Sequence, residues 1–240
     1  MQLHISKNLQ ELSNTATAWL VEHIQCTLQT QDRYTLALSG GSTPKMMNHL
    51  LSTDYRDKVE WSKLHIFFGD ERFVPFNDER NNAKMAFDTL LNLVPVPKEQ
   101  IHIIPTEGLS PEESAAAYQK ILRQYFTEAS ATFDSIILGM GDDGHTLSLF
   151  PGKTEIIHET VKWCTSLWLE EQDMYRVTLT HPIANRASAV IFLAAGSKKA
   201  VALREVLQGV YNPSKYPSQI IKPVSGELHW FADEAACQGL

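Results

Sequence analysis

The 240-residue sequence predicts an α/β fold built on a mainly parallel, doubly wound, Rossmann-like sheet with helices on both faces. Three observations predict it: short apolar runs suit buried strands, helical periodicities lie between them, and no repeat or Gly/Ser-rich linker interrupts the alternation. Such a rhythm produces a parallel sheet, because each helix returns the chain to begin the next strand in the same direction. We therefore interpret residues 1–240 as a single domain.

The strand candidates are apolar runs of four to six residues that favour β structure. They lie at residues 34–38 (YTLAL), 64–68 (LHIFF), 101–104 (IHII), 134–138 (DSIIL) and 189–194 (AVIFLA). Because these runs are nearly continuous rather than alternating, we expect strands buried on both faces.

The helix candidates fill the intervals between these runs. In residues 8–29, Leu9, Leu12, Ala16 and Trp19 recur at steps of three and four residues, which indicates an amphipathic helix. Further helical patterns occur at residues 44–51, 80–91, 111–129 and 198–207. In an open α/β sheet of this kind, ligands bind at the carboxyl ends of the strands, so the polar residues at those ends are the functional candidates.

Composition excludes several classes of function. With 43% hydrophobic and 20% charged residues, the chain is typical of a folded globular protein. The net charge of −7 provides no broad basic face, so we expect neither a nucleic acid nor a membrane surface as partner. An anionic ligand must then be held by a few local cations and backbone amides.

The cysteines and the N-terminal residues indicate a cellular setting. Cys26, Cys164 and Cys237 are odd in number and widely spaced, which suggests neither a disulfide framework nor a zinc site. No basic start followed by an apolar run marks a signal peptide, and no apolar run approaches transmembrane length. We expect a cytoplasmic protein, a monomer or small homo-oligomer, without a metal or other cofactor.

The strand at residues 34–38 is followed by Ser39, Gly40, Gly41, Ser42, Thr43 and Pro44. The glycines permit a tight turn, and Thr43 with Pro44 predicts an N-cap and a first helical residue. A helix N-terminus at a strand end suits a phosphate group. An ordinary βα turn with a good cap explains the same residues equally well, since no GxGxxG or P-loop motif is present.

The strand at residues 64–68 is followed by Asp70, Glu71 and Arg72. Arg72 is a candidate for bidentate binding of a phosphate or carboxylate. The alternative is a solvated loop with a local ion pair. Nearby Asn81 and Asn82 either supply hydrogen bonds or simply enter the next helix.

The third strand end carries the motif GMGDDGHT, in which His145 is a candidate general base near neutral pH. Asp143 stands two residues earlier and is a candidate to orient the imidazole. A capping or hydrogen-bonded structural histidine is the alternative. A metal site is not indicated, because no second histidine or cysteine stands at ligand spacing.

Further cations follow in the second half of the chain. Residues 175–180 (YRVTLT) predict an alternating strand, in which Arg176 is either an exposed face residue or a second anion contact. Lys198 and Lys199 stand at the start of a predicted helix, where a positive charge opposes the helix dipole, which favours a ligand-binding role for one of them. No G-x-S-x-G elbow is present, so hydrolysis by this chain would use water activated by His145.

Five motifs, in the same order, resemble those of the 6-phosphogluconolactonase family. They are LSGGSTP, FFGDERFVP, GMGDDGHTLSLFPG, YRVTLT and GSKKA, and the similarity runs from about residue 30 to the C-terminal HWFADEAA. That family shares its fold with glucosamine-6-phosphate deaminases and with sugar-phosphate-sensing domains of transcription regulators. The resemblance therefore implies a deaminase/lactonase-like fold.

One segment separates the two enzymes within this resemblance. Deaminases carry a stretch similar to GxGxDGHIAFNEPG, whose glutamate supports ring opening, whereas this chain has Leu149 and Phe150 before Pro151. This difference favours the lactonase. Lactonases often have Ser-Asn after the DER segment, and here Asn81 replaces the serine.

The resemblance also implies roles for the residues singled out above. It implies hydrolysis of 6-phospho-D-glucono-1,5-lactone, with His145, Asp143 and Arg72 as catalytic candidates. The candidates for binding the substrate and its phosphate are Gly40, Gly41, Ser42, Thr43, Asp70, Arg72, Arg176 and Lys199, the lysine that directly precedes alanine. The alternatives are a deaminase that uses Asp70 as base and a sensor domain without turnover.

Overall fold

The computed structural model describes residues 1–128 and 130–240, and it confirms the α/β fold. A six-stranded parallel sheet has the strand order β1-β9-β8-β5-β2-β3. Its strands are β1 (Gln2–Ser6), β2 (Tyr34–Leu38), β3 (Leu64–Phe68), β5 (Ser135–Gly139), β8 (Ala189–Ala194) and β9 (Glu227–Asp233). Every residue of β2 and β8 is buried, as the continuous apolar runs predict.

Helices connect these strands. They are α1 (Leu9–Thr27), α2 (Ser42–Ser52), α3 (Asn82–Ala86), α4 (Pro111–Tyr125), α5 (Thr154–Ile157), α6 (His181–Ala184) and α7 (Ala200–Gln208). Capping residues determine where two of these helices start. The Asn8 side chain accepts a hydrogen bond from the Glu11 amide at the start of α1, and Ser110 and Glu113 form a capping box at the start of α4.

A second, three-stranded antiparallel sheet with the order β4-β7-β6 was not predicted. It consists of β4 (Asp70–Arg72), β6 (Cys164–Leu169) and β7 (Met174–Leu179). Gly69 joins β3 to β4, and its carbonyl accepts the Leu179 amide at 2.8 Å. The small sheet therefore extends the carboxyl end of β3, where site residues were expected.

Two sequence expectations about elements are wrong, and the start of one predicted helix is shifted. Residues 101–104 form no strand among the described residues: Ile101 makes one isolated bridge with Ile66, and the chain then leaves the sheet edge. Thr43 is not an N-cap, because α2 begins at Ser42 after Gly41. The helix predicted at residues 198–207 starts as one 3₁₀ turn, Ser197–Lys199, before α7.

Other boundaries shifted or were missed. The helix predicted at residues 111–129 ends at Tyr125, and Ala129 lies outside the described residues. The pattern at residues 80–91 forms α3 followed by a π-helical turn, Phe87–Leu91. Strands β1, β4, β6 and β9 were not predicted. Over residues 1–128 and 130–240, no helix combines the length and apolar content needed to cross a membrane.

Candidate active site

A cleft of about 270 Å³ lies where the carboxyl ends of β2, β3, β5 and β8 meet the small sheet. The predicted site residues that line it are Gly40, Gly41, Ser42, Thr43, Asp70, Arg72, His145, Arg176 and Lys199. Asp143 lies beside it, in an adjoining side groove that also contacts His145 and Lys199. Five separate motifs of the sequence thus come together at one edge of the sheet.

The two glycines after β2 have different reasons to be glycine. Gly41 adopts φ +108°, a conformation that side chains disfavour, and directly precedes α2. A Cβ atom on Gly40 would lie 2.0 Å from Asn82 Oδ1. The loop therefore needs both residues, and it leaves the first-turn amides of Ser42 and Thr43 without intrahelical partners, as at any helix N-terminus.

Asp70 is a buried carboxylate on the cleft wall. Its Oδ2 atom accepts a 2.7 Å hydrogen bond from Ser148 Oγ, and its backbone carbonyl accepts one at 3.0 Å from Asn82 Nδ2. Asn82 also lines the cleft. Both interpretations of this residue are therefore correct, because it is the first residue of α3 and also supplies hydrogen bonds.

Glu71, the neighbouring carboxylate, points away from the cleft. It is fully buried and accepts backbone N–H groups from Arg72 at 2.8 Å, Asn82 at 2.7 Å and Ala83 at 2.8 Å. Burial raises the pKa of Glu71 to about 7, although the three hydrogen bonds act to lower it. Glu71 therefore ties β4 to the start of α3 instead of facing a ligand.

Arg72 and Arg176 stand directly opposite each other in the β4–β7 ladder. Arg176 is only 4% exposed, so it is not the exposed face residue that was one alternative. Gln172 Oε1 accepts a hydrogen bond from Arg176 Nη2, and Asp70 Oδ2 lies 4.0 Å from Arg176 Nη1. The pKa of Arg176 is lowered overall, because burial and the charge of Arg72 lower it by more than the charge of Asp70 raises it.

Two donors of this arginine pair remain unsatisfied. The Nε atoms of Arg72 and Arg176 are buried and have no hydrogen-bond partner among the described residues. Arg72 Nη1 donates to the Arg80 carbonyl at 2.7 Å, which holds that guanidinium against its loop. Two adjacent guanidinium groups, that of Arg176 buried and that of Arg72 half-buried, with unpaired Nε donors form a favourable environment for an anion.

Lys199 supplies the third cation. It lines the cleft, and its Nζ atom lies 2.6 Å from Asp142 Oδ1. Lys198 is exposed and lines neither the cleft nor the side groove. Of the two lysines that the sequence offered for ligand binding, only Lys199 therefore lies at the site. Gly196, with φ +93°, turns the chain into this segment, and its amide donates to the Asp233 carboxylate at 2.9 Å.

His145 follows a tight turn in which the Gly144 amide donates to the Gly141 carbonyl at 3.0 Å. Its Nδ1 atom and its backbone amide both donate to Asp143 Oδ1, at 2.6 and 3.0 Å. A Cβ atom on Gly141 would lie 2.0 Å from His145 Nδ1, so only glycine leaves room for the ring. The ring packs against Phe150, with centroids 4.3 Å apart.

The electrostatics of Asp143 suit a partner for a histidine. Burial alone would raise the pKa of this carboxyl, but the hydrogen bonds from the His145 ring and amide and the charge of the ring outweigh it, so that the pKa is lowered. Asp143 therefore remains ionised beside the ring, which is the state that holds an imidazole N–H.

Sequence reasoning missed two residues that line the cleft, Gln172 and Phe150, and one that supports its wall, Ser148. Gln172 sits at the tip of the β6–β7 hairpin, and no local signal marks it. Ser148 and Phe150 lie within the GMGDDGHTLSLFPG motif, but their roles depend on contacts with Asp70 and His145 that only the folded chain creates. In the described part of the chain, no three His, Cys, Asp or Glu side chains are grouped to hold a metal ion.

The chain was compared with known proteins. Residues 7–230 match the family model described as glucosamine-6-phosphate isomerases/6-phosphogluconolactonase. A 6-phosphogluconolactonase from Nostoc sp. is 39% identical over 90% of this chain and 89% of its own, and one from Synechocystis sp. is 36% identical over 100% and 98%. A solved structure of the Trypanosoma brucei 6-phosphogluconolactonase has a TM-score of 0.88 and 28% identity, covering 100% of this chain and 98% of its own.

Proposed function

The chain belongs to the glucosamine-6-phosphate isomerase/6-phosphogluconolactonase family, and we propose that it hydrolyses 6-phospho-D-glucono-1,5-lactone to 6-phospho-D-gluconate in the oxidative pentose phosphate pathway. It is then an enzyme of the carboxylic ester hydrolase class, acting on a lactone. The observation that carries the proposal is the His145–Asp143 pair, 2.6 Å apart, beside a cleft with three cationic side chains.

His145 acts as general base in this proposal. Because Nδ1 donates to Asp143, the neutral ring keeps Nε2 as its proton acceptor. Nε2 takes a proton from water while the water oxygen attacks the lactone carbonyl carbon. Asp143 is the orienting partner: it fixes the tautomer and stabilises the imidazolium that forms.

The attack produces a tetrahedral oxyanion, which collapses when the bond from the carbonyl carbon to the ring oxygen breaks. Backbone amides of the loops or Arg72 donate hydrogen bonds to the oxyanion. The imidazolium of His145 returns its proton to the leaving ring oxygen, which becomes a hydroxyl group. The water and the lactone together account for every atom of the hydroxy acid product.

The phosphate group occupies the cationic end of the cleft. Arg72, Arg176 and Lys199 supply positive charge, and Gly41, Ser42 and Thr43 supply the N-terminus of α2. Gly40 and Asp70 shape the wall between these groups through Asn82. Local cations of this kind bind an anion even though the whole chain carries a net charge of −7.

Contacts around His145 favour hydrolysis over deamination. Phe150 stands where the deaminase-like stretch carries its glutamate, and its ring packs against His145. An assay for ammonia release from glucosamine 6-phosphate tests the deaminase alternative, and we expect no ammonia above background.

We further propose that the chain works as one domain in the cytoplasm, as a monomer or small homo-oligomer. Cys26, Cys164 and Cys237 are free thiols, which fits a reducing compartment. The substrate, a phosphorylated sugar lactone, is the partner that the cleft suits.

The decisive experiment measures hydrolysis of freshly prepared 6-phosphogluconolactone against its spontaneous opening, with unphosphorylated gluconolactone as comparison. We expect clear acceleration for the phosphorylated lactone and a much smaller one for gluconolactone. No acceleration above background contradicts the activity. Equal acceleration of both lactones contradicts the phosphate-binding role of the cations.

A further inference from the structure

Two adjacent carboxylates occupy the corners of one tight turn, Gly141 to Gly144, and each engages a different functional group. Asp143 accepts hydrogen bonds from His145, while Asp142 Oδ1 lies 2.6 Å from Lys199 Nζ. The mechanism above uses Asp143 and Lys199 but gives no role to Asp142.

The position of the Asp142–Lys199 pair distinguishes it from an ordinary surface ion pair. Lys199 lines both the cleft and the side groove, whereas Asp142 lines only the side groove. The Lys199 side chain is 24% exposed and that of Asp142 is 54% exposed. The pair therefore spans the boundary of the cleft, and Asp142 draws the ammonium toward the groove side.

Lys199 differs from the two arginines in how its charge is balanced. Arg176 lies 4.0 Å from the Asp70 carboxylate, and Arg72 donates to a neutral carbonyl group. Among the cleft cations in the described part of the chain, Lys199 is therefore the one with a carboxylate at hydrogen-bond distance. Its flexible four-carbon stem lets the ammonium turn between partners, which the planar guanidinium groups cannot do as readily.

We propose that Asp142 competes with the anionic group of the ligand for Lys199 and so limits the affinity of the site, and this inference rests on the proposed function. Each ligand must replace the Asp142 carboxylate at Lys199, so Asp142 weakens the binding of phosphorylated substrate and product alike. By weakening the binding of the product, Asp142 favours its release.

The test is a double-mutant cycle with Asp142→Asn and Lys199→Met, in which the affinity for 6-phosphogluconate is measured by calorimetry. We expect Asp142→Asn to tighten binding about two- to fivefold, the effect of losing a partly exposed ion pair. In the Lys199→Met background the same substitution should change nothing. Asp142→Glu should restore the wild-type affinity, and Asp54→Asn, an exposed charge change away from both cavities, is the control.

Turnover kinetics separate competition from a structural effect. We expect Asp142→Asn to lower KM and, if product release limits turnover, to lower kcat as well. Unchanged or weaker product binding overturns the inference, and so does tightening that persists without Lys199. If the wild type hydrolyses the lactone but the cycle shows no coupling, only this inference fails. If the wild type is inactive but the coupling is present, only the proposed activity fails, and a wild type that binds no 6-phosphogluconate overturns both.

Discussion

Asp143 Oδ1 accepts two hydrogen bonds from His145, one from ring Nδ1 at 2.6 Å and one from the backbone amide at 3.0 Å. One carboxylate oxygen thus fixes both the main chain and the ring of the same residue. The ring cannot rotate about its side-chain bonds without losing the first of these contacts. This arrangement defines which ring nitrogen is available to a substrate.

Replacing the base tests the chemistry directly. We expect His145→Ala to lower kcat by roughly 10²- to 10⁴-fold, because a general base contributes about that much. Affinity for 6-phosphogluconate should change little, since the cations that hold the phosphate remain. Stopped assays on fresh lactone measure kcat, and full turnover in the variant would contradict the role of His145.

Replacing its partner tests orientation. We expect Asp143→Asn to lower kcat with little change in KM, because the amide removes the negative charge that stabilises the imidazolium. The loss should not exceed that of His145→Ala, and the double variant should be no slower than His145→Ala alone. An additive loss in the double variant would show that Asp143 acts independently of the ring.

Gly40 lies so close to Asn82 that a methyl group has no space. We expect Gly40→Ala to push Asn82 away from the Asp70 carbonyl and to raise KM, because a Cβ would stand 2.0 Å from Asn82 Oδ1. In an Asn82→Ala background the added methyl group has room, so Gly40→Ala should then have little further effect. A full Gly40→Ala effect in that background would locate the cause in the loop backbone.

Glu71 binds three backbone amides from a fully buried position. We expect Glu71→Gln to lower the free energy of unfolding by about 1–3 kcal/mol, because its NH₂ group faces donors that need an acceptor. Urea unfolding measures this change. KM should rise as well, since Arg72 and Asn82 lose the group that anchors them. Wild-type stability together with wild-type KM would contradict this anchoring.

Stability should depend on pH through His102. Burial, with a contribution from His65, lowers the pKa of His102 from 6.5 to about 4. Between these values the unfolded chain binds a proton that the folded chain does not, so stability falls as the pH falls from 6.5 toward 4. The contribution is at most about 3 kcal/mol, and less where water screens the ring.

His102→Phe should flatten this part of the stability curve, because phenylalanine keeps the ring contacts with Phe67 and Tyr125 but does not titrate. Urea unfolding at several pH values between 4 and 7 measures the slope. His158→Phe, at an exposed histidine, is the control. An unchanged slope in His102→Phe would show that other buried histidines account for the dependence.

The sequence predicted the parts of the fold that depend on continuous apolar runs. β2, β5 and β8 are interior strands and β3 is an edge strand, but all four are largely buried, and each was expected where it lies. β1 was missed because it is an edge strand with exposed residues such as Leu3 and Ile5, so its pattern is not continuously apolar. Residues 101–104 have the right composition, but their contact with the β3 edge is limited to one bridge at Ile66, formed by Ile101 and the His102 amide.

The candidate site was predictable where motif and strand end coincide. The loop after β2, the Asp70–Arg72 segment and the His145 turn each follow a recognisable strand, so their convergence follows from sheet topology. Arg176 was ambiguous because its burial depends on pairing with β4, a contact between segments about a hundred residues apart. Gln172 was not predictable, since it reaches Arg176 across a hairpin tip of polar residues.

The pairing of β4 with β7 also determines where this chain tolerates changes of length. Arg72 and Arg176 are opposite each other only because the register of the ladder places them so. Inserting or deleting one residue within β7 would turn Arg176 to the other face of the sheet and separate the two charges. Length variation on the small sheet must therefore lie outside β7, and an insertion at the hairpin tip before Met174 must also leave Gln172 within reach of Arg176.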